Sequence, residues 1–159
     1  MSKFIGVKMV EAVPMTAGEA ANKGYRTPVA ESAMDLYIAG YEVTYEDGYK
    51  SWCPKDVFDK ANQPTDGMIF GFAIEALKKG FKVARKSWNG KGMYLWLKPA
   101  VTIKSDWCKD PMLKEIVDAN GGETEALGTI CMKTADNKIL SGWLASQTDV
   151  LSEDWVIIE

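Results

Sequence analysis

Apolar positions along the chain fall into short runs of two kinds, alternating and helically spaced, and clusters of turn residues separate them. Residues 4–13 are apolar-rich with β-branched side chains, and Pro14-Met15-Thr16 then interrupts them, which predicts a strand entering a loop. A short helix is expected around residues 17–22, inside a stretch to residue 34 whose pattern is weak. Tyr41-Glu42-Val43-Thr44-Tyr45 alternates, Glu46-Asp47-Gly48 supplies turn chemistry, and Tyr49-Lys50-Ser51-Trp52 alternates again, so a hairpin is predicted. A helix over residues 54–61, with Pro54 in its first turn, would cover one face of that hairpin. Asn62-Gln63-Pro64-Thr65-Asp66-Gly67 then lies between two patterned segments. It sets the boundary between a module over residues 1–63 and a second over residues 68–159.

In the second module Phe70, Ala73, Ile74 and Leu77 recur at helical spacing, Thr65 or Asp66 can cap the start, and Gly80 sits where a left-handed C-terminal residue is wanted. Residues 81–86 and 93–98 alternate as strands, joined by Ser87-Trp88-Asn89-Gly90-Lys91-Gly92. Residues 100–125 are polar and irregular and look like an insertion between sheet strands, with a helix at 112–119 between Pro111 and Gly121-Gly122. A second hairpin is expected from residues 128–133 and 139–145, then a short turn or helix at 148–152 and a last strand at 154–158. On strand 93–98, Tyr94 and Trp96 share one face and Met93, Leu95 and Leu97 the other, so both faces need cover. Oligomerisation would supply it, as would packing of the first module or of the insertion. The fold class is α+β, two small modules of mostly antiparallel sheet, each with a packed helix.

Composition narrows the function. With 159 residues, 47% of them hydrophobic, the chain can bury a real core. Nineteen basic against 22 acidic residues leave a net charge of −3, so wrapping of DNA or RNA and binding to an anionic membrane have no compositional support. The first residues, Met1-Ser2-Lys3-Phe4-Ile5-Gly6, lack a secretory signal, and no apolar run is of membrane-spanning length, so the protein is expected to stay where it is made. Cys53, Cys108 and Cys131 are odd in number and scattered, which reads as reduced structural thiols. The absence of histidine removes the commonest general base, the Ser-His and Cys-His nucleophile pairs and the commonest metal ligand. No cofactor, metal site or catalytic residue is expected, although carboxylates alone can hydrolyse.

The 87–92 loop is the most suggestive local feature: its glycines let backbone N–H groups approach a ligand, Trp88 offers a stacking face, and Asn89 both donates and accepts. The same residues also suit a plain hairpin turn with one aromatic folded onto the core. Arg85 shares a strand face with Val83 and should be shielded and paired, with Asp149 and Asp154 as partners. A structural Arg-Asp pair and an arginine held for a ligand phosphate are both open. Ser146-Gln147-Thr148-Asp149 sets four hydrogen-bonding side chains after a strand, suited either to ribose hydroxyls and base edges or to helix capping.

The order Phe70-x-x-Ala73-Ile74-x-x-Leu77-x-x-Gly80-x-x-Val83-x-Arg85-x-x-Trp88-Asn89-Gly90-Lys91-Gly92-Met93-Tyr94-Leu95, followed by Trp143-x-Ala145-Ser146-x-x-Asp149-x-Leu151-x-x-Asp154-Trp155, resembles the second Thoeris anti-defence family of phage proteins. Members are understood to be sponges. They assemble as homo-oligomers and hold a glycocyclic ADP-ribose signal made by a bacterial TIR-domain enzyme, without breaking a bond in it, and some relatives also hold cyclic oligonucleotides. The resemblance implies that Trp88 and Phe70 stack on a base, and that Asn89 and Ser146, Gln147, Thr148 and Asp149 meet ribose or base edges. It also places Arg85 or Lys91 near the phosphates, with Trp143 in the same site. It further implies a homo-oligomer, a tetramer by expectation, in the cytoplasm of the infected host bacterium, with no DNA, RNA or membrane partner. The insertion and the first module depart from the compact pattern; the latter resembles a small phage-associated module of unknown role. Two rival readings are a phage structural or host-protein-interaction module and a histidine-free hydrolase using Asp149 and Asp154.

Overall fold

A computed structural model describes residues 7–28 and 32–159, so residues 4–6 of the first expected strand lie outside it. The chain divides into two units, Met1–Pro64 and Thr65–Glu159.

The first unit contains strand β1 (Val10–Thr16), helix α1 (Ala17–Asn22), a 3-10 turn (Ala33–Tyr37), strands β2 (Ala39–Tyr45) and β3 (Lys50–Pro54), and helix α2 (Lys55–Ala61). The strands form one antiparallel sheet in the order β1-β2-β3. Against the sequence expectation, β1 does not end at Pro14: pairing continues through Pro14 with Tyr41 to Thr16 with Ala39. The strand is an edge, where a missing N–H is tolerated on the side away from the partner. Thr16 closes the strand and caps α1 at once. Its hydroxyl accepts from the Glu19 N–H at 3.3 Å, while its own N–H donates to the Glu19 carboxylate at 2.8 Å. Pro54 stands one position before α2 rather than inside its first turn, and the helix lies on β2 and β3 with the Phe58 ring 4.6 Å from that of Tyr41 and tilted 39° to it.

Met15, Ala17, Ala20 and Trp52 form the small core of this unit. The indole N–H of Trp52 donates to the Met15 carbonyl at 2.9 Å. Gly40 is required here by contact: a Cβ would lie 2.5 Å from the Trp52 ring and 2.6 Å from the Cys53 carbonyl.

The second unit runs α3 (Phe70–Lys78), β4 (Lys82–Arg85), β5 (Tyr94–Lys98), β6 (Val101–Lys104), α4 (Pro111–Ala119), β7 (Glu123–Ala126), β8 (Thr129–Lys133), β9 (Ile139–Ser141), α5 (Gln147–Val150) and β10 (Trp155–Ile158). Five strands make an antiparallel sheet in the order β10-β4-β5-β8-β9. The register puts Val83, Leu95, Met132 and Ile157 on one face, where α3 delivers Ala73, Ala76 and Leu77 into the core. Helix α3 ends as expected: Gly80 is at φ +90°, the Phe81 N–H reaches the Ala76 carbonyl and the Gly80 N–H that of Leu77.

Its start differs from expectation, because Ile69 occupies the cap position and neither Thr65 nor Asp66 caps it. The preceding segment is drawn to β10 instead. Met68 exchanges backbone bonds with Trp155 at 2.7 and 3.1 Å, and the Thr65 carbonyl accepts from Ile157.

The 100–125 segment is ordered rather than irregular. Strands β6 and β7 pair from Val101 with Ala126 to Lys104 with Glu123, and α4 between them is capped by the Asp110 carboxylate and buries Val117. The polar run Glu123-Thr124-Glu125-Ala126 hid its strand character because its partner lies some twenty residues upstream.

Candidate ligand-binding site

Three aromatic side chains from separate parts of the second unit converge on one buried ring. Phe70 opens α3, Trp88 stands in the loop after β4, and Trp143 follows β9. Their centroids lie 5.4, 5.5 and 6.2 Å from that of Trp155, which is fully buried at the start of β10. Trp88 and Trp143 meet Trp155 edge-on, at 77° and 80°, the arrangement that aromatic quadrupoles favour. Trp88, Trp143 and Phe70 remain half-buried, so the cluster is packed from below and open at its edge.

Beside it lies a polar knot. β4 presents Arg85 opposite Trp155, and the guanidinium donates through Nε to Asp154 at 2.8 Å, through Nη1 to Asp149 at 2.8 Å and through Nη2 to the Ser87 hydroxyl at 2.8 Å. The second oxygen of Asp154 accepts from the Ser87 N–H at 3.0 Å, and Ser152 donates its hydroxyl to the first. Asp149 sits in α5, whose cap is Ser146: the hydroxyl and N–H of Ser146 donate to Asp149 Oδ2 at 2.7 and 3.1 Å, and the Asp149 N–H donates back to the hydroxyl. The indole N–H of Trp88 donates to Asp149 Oδ1 at 3.3 Å, and that of Trp155 to the Asp149 backbone carbonyl at 3.0 Å.

Burial works to raise the pKa of both carboxylates, but the donors around them outweigh it. Arg85, Ser146 and Trp88 hold Asp149 below the ordinary carboxylate range, and Arg85, Ser152 and Ser87 hold Asp154 well below it. Such groups serve as acceptors and are poorly suited to donate a proton near neutral pH.

The structure thus gathers Phe70, Trp88 and Trp143 into one cluster and Arg85, Ser146 and Asp149 into the adjoining knot. Asn89, Lys91, Gln147 and Thr148 are exposed around them. Gly90 fits against the β8–β9 turn, where a Cβ would meet Ala135 at 2.9 Å and the end of Met93 closer still, and Gly92 takes φ +69°. Trp155, Asp154 and Ser87 were not among the expected binding residues. Asp154 is expected from the sequence as a partner of Arg85, which the structure bears out, Trp155 enters only through the closing Asp154-Trp155 pair, and Ser87 only as the first residue of the 87–92 loop. Among the described residues no group of three or more His, Cys, Asp or Glu is placed to hold a metal, and no helix is long and apolar enough to cross a membrane.

An antiparallel sheet with one packed helix and an aromatic cluster seated on its last strand defines a small α+β domain. Residues 68–158 match the model of the Thoeris anti-defense 2-like domain. The chain is also similar to a protein of Bacillus phage SP01 named Thoeris anti-defense 2, at 42% identity over 98 residues, covering 57% of this chain and 94% of that protein. The chain belongs to the Thoeris anti-defense 2-like family, and its role is a phage anti-defence one.

Proposed function

We propose that the chain binds and holds a nucleotide immune signal, a glycocyclic ADP-ribose of the kind made by TIR-domain enzymes, without cleaving it, and that cyclic oligonucleotides are alternative cargoes. The observation that carries this reading is the aromatic cluster of Phe70, Trp88 and Trp143 seated on Trp155, with its edge open beside exposed Asn89, Lys91, Gln147 and Thr148. Flat π faces next to amide and hydroxyl groups match a base and its ribose. The chemistry of the knot supports binding over hydrolysis, since both carboxylates are committed to Arg85 and held in the ionised form.

A homo-oligomer, a tetramer in this proposal, is supported by large apolar side chains beside the site. Leu144 is 88% and Leu151 76% exposed, and a second subunit would cover them. A second reading, a protein-interaction module, is favoured by the insertion, where Trp107, Met112 and Ile116 are 63%, 70% and 56% exposed.

Isothermal titration of the purified chain against glycocyclic ADP-ribose isomers and cyclic dinucleotides, with the ligand released by heat and weighed by mass spectrometry, tests the proposal. Tight binding with intact release is expected, weakened by Trp88→Ala and Asn89→Ala. Silence across the panel would sink it, and a stoichiometric protein partner recovered from infected cells would then favour the interaction module. Cleaved product would make the chain an enzyme.

A further inference from the structure

Arg85 is the side chain that charge alone would nominate for a ligand phosphate, yet its surroundings argue otherwise. One positive charge stands among two carboxylates, so the knot as a whole is negative, and the guanidinium side chain is only 11% exposed. Three of its five N–H groups are already committed, to Asp154, Asp149 and Ser87. Asp149 is equally occupied. Its two oxygens accept four hydrogen bonds, from Arg85, Trp88 and, twice, Ser146, which fills the lone-pair capacity of a carboxylate.

What these residues do control is a ring. Trp88 meets Trp155 and Trp143 edge-on, at 77° and 65°, and the one polar atom of its side chain is anchored to Asp149 Oδ1. Asp149 is itself fixed from two directions, by the α5 cap through Ser146 and by β4 through Arg85.

We propose that Arg85 and Asp149 are positioning residues, which set the plane of the Trp88 indole, and that ligand phosphates are met by exposed cations such as Lys91. The consequence for binding rests on the sequestering function proposed above; the positioning itself does not. A phosphate ligand and a positioning residue leave different traces. Losing a phosphate contact flattens the dependence of log K on log salt, because one screened charge pair is gone, and leaves the free protein unaltered. Losing a positioning residue changes the Trp88 indole in the free protein and weakens binding.

The test uses Arg85→Lys, Asp149→Asn and Lys91→Gln in the full chain. The Trp88 near-ultraviolet circular dichroism is isolated by difference from Trp88→Phe, and nucleotide is titrated at two salt concentrations. Arg85→Lys, which keeps the charge, and Asp149→Asn are expected to change the indole signal and to weaken binding about tenfold. Lys91→Gln should lower the slope and spare the indole. An unchanged indole signal in Asp149→Asn or in Arg85→Lys overturns the proposal. If either variant fails to fold, Ser146→Ala removes one donor from Asp149 and leaves Arg85 in place; it must shift the indole signal in the same direction for the proposal to stand. Because that signal is read on free protein, a chain that binds no nucleotide refutes the sequestering function while still deciding the positioning.

Discussion

The two units solve the same problem, a small antiparallel sheet with helices, by different means. Among its described residues the first joins only Met15, Ala17, Ala20 and Trp52 in a core and depends on local devices: the Thr16–Glu19 capping box, the tryptophan bond to Met15, and a glycine that admits a ring. The second buries eight residues together, with nine more hydrophobics packed against them. It can therefore carry a charged knot and leave three aromatic rings half open. Apolar surplus in the core is what permits polar and exposed groups at a site, since each such group gives up stability that burial elsewhere must supply.

That contrast can be broken or sharpened by four measurements, in descending order of effect. Trp155→Ala removes the ring on which the aromatic cluster rests. It should cost about 3–5 kcal/mol, read by chemical denaturation, with loss of amide-exchange protection in residues 65–159. A cost under about 1 kcal/mol would mean that the cluster is not part of the core.

Acid should come next. Asp149 and Asp154 have pKa values depressed by folding, so the stability they contribute is present above the unfolded carboxylate value and is lost as pH falls toward the folded one. With no histidine to titrate, the unfolding free energy should stay flat from roughly pH 5.5 to 8 and fall below about pH 4, by about 2 kcal/mol, read by chemical denaturation across pH. A transition near pH 6 would contradict this.

Gly40→Ala drives a methyl into the Trp52 ring and should destabilise the first unit by about 1–3 kcal/mol, with a red shift in the emission of that unit's sole tryptophan. Thr16→Ala, which removes half of the capping box, should cost about 1 kcal/mol and expose the α1 amides to exchange. If Gly40→Ala proves neutral, the first unit is looser around Trp52 than its packing shows.

Local signals were legible in the sequence where one segment determines itself. The 41–52 hairpin, the Phe70 to Leu77 stripe, Gly80 as the helix terminator and Ser146 as a cap all follow from neighbours within a few residues. What escaped was decided by partners far along the chain. Pro14 lies inside a strand because that strand is an edge; the cap expected at Thr65 or Asp66 gives way to pairing of residues 65–68 with β10; and β7 is recognisable only beside β6. The site follows the same rule. Trp88, Trp143 and Phe70 can be named singly, but the ring that unites them and the carboxylate that anchors one of them enter from the last twelve residues.

Lys98 and Thr129 face each other across β5 and β8, and a Cβ on Gly128 would lie 3.3 Å from the Ala100 nitrogen, so the insertion leaves and re-enters the sheet at almost one point. Its own ends are already fastened by β6 and β7. To the rest of the sheet it is a plug-in cassette: the frame carries the same hairpin whatever hangs from it. Sequence can therefore be exchanged or lengthened there at an entropic cost that grows only with the logarithm of loop length, with little disturbance of the strands on either side.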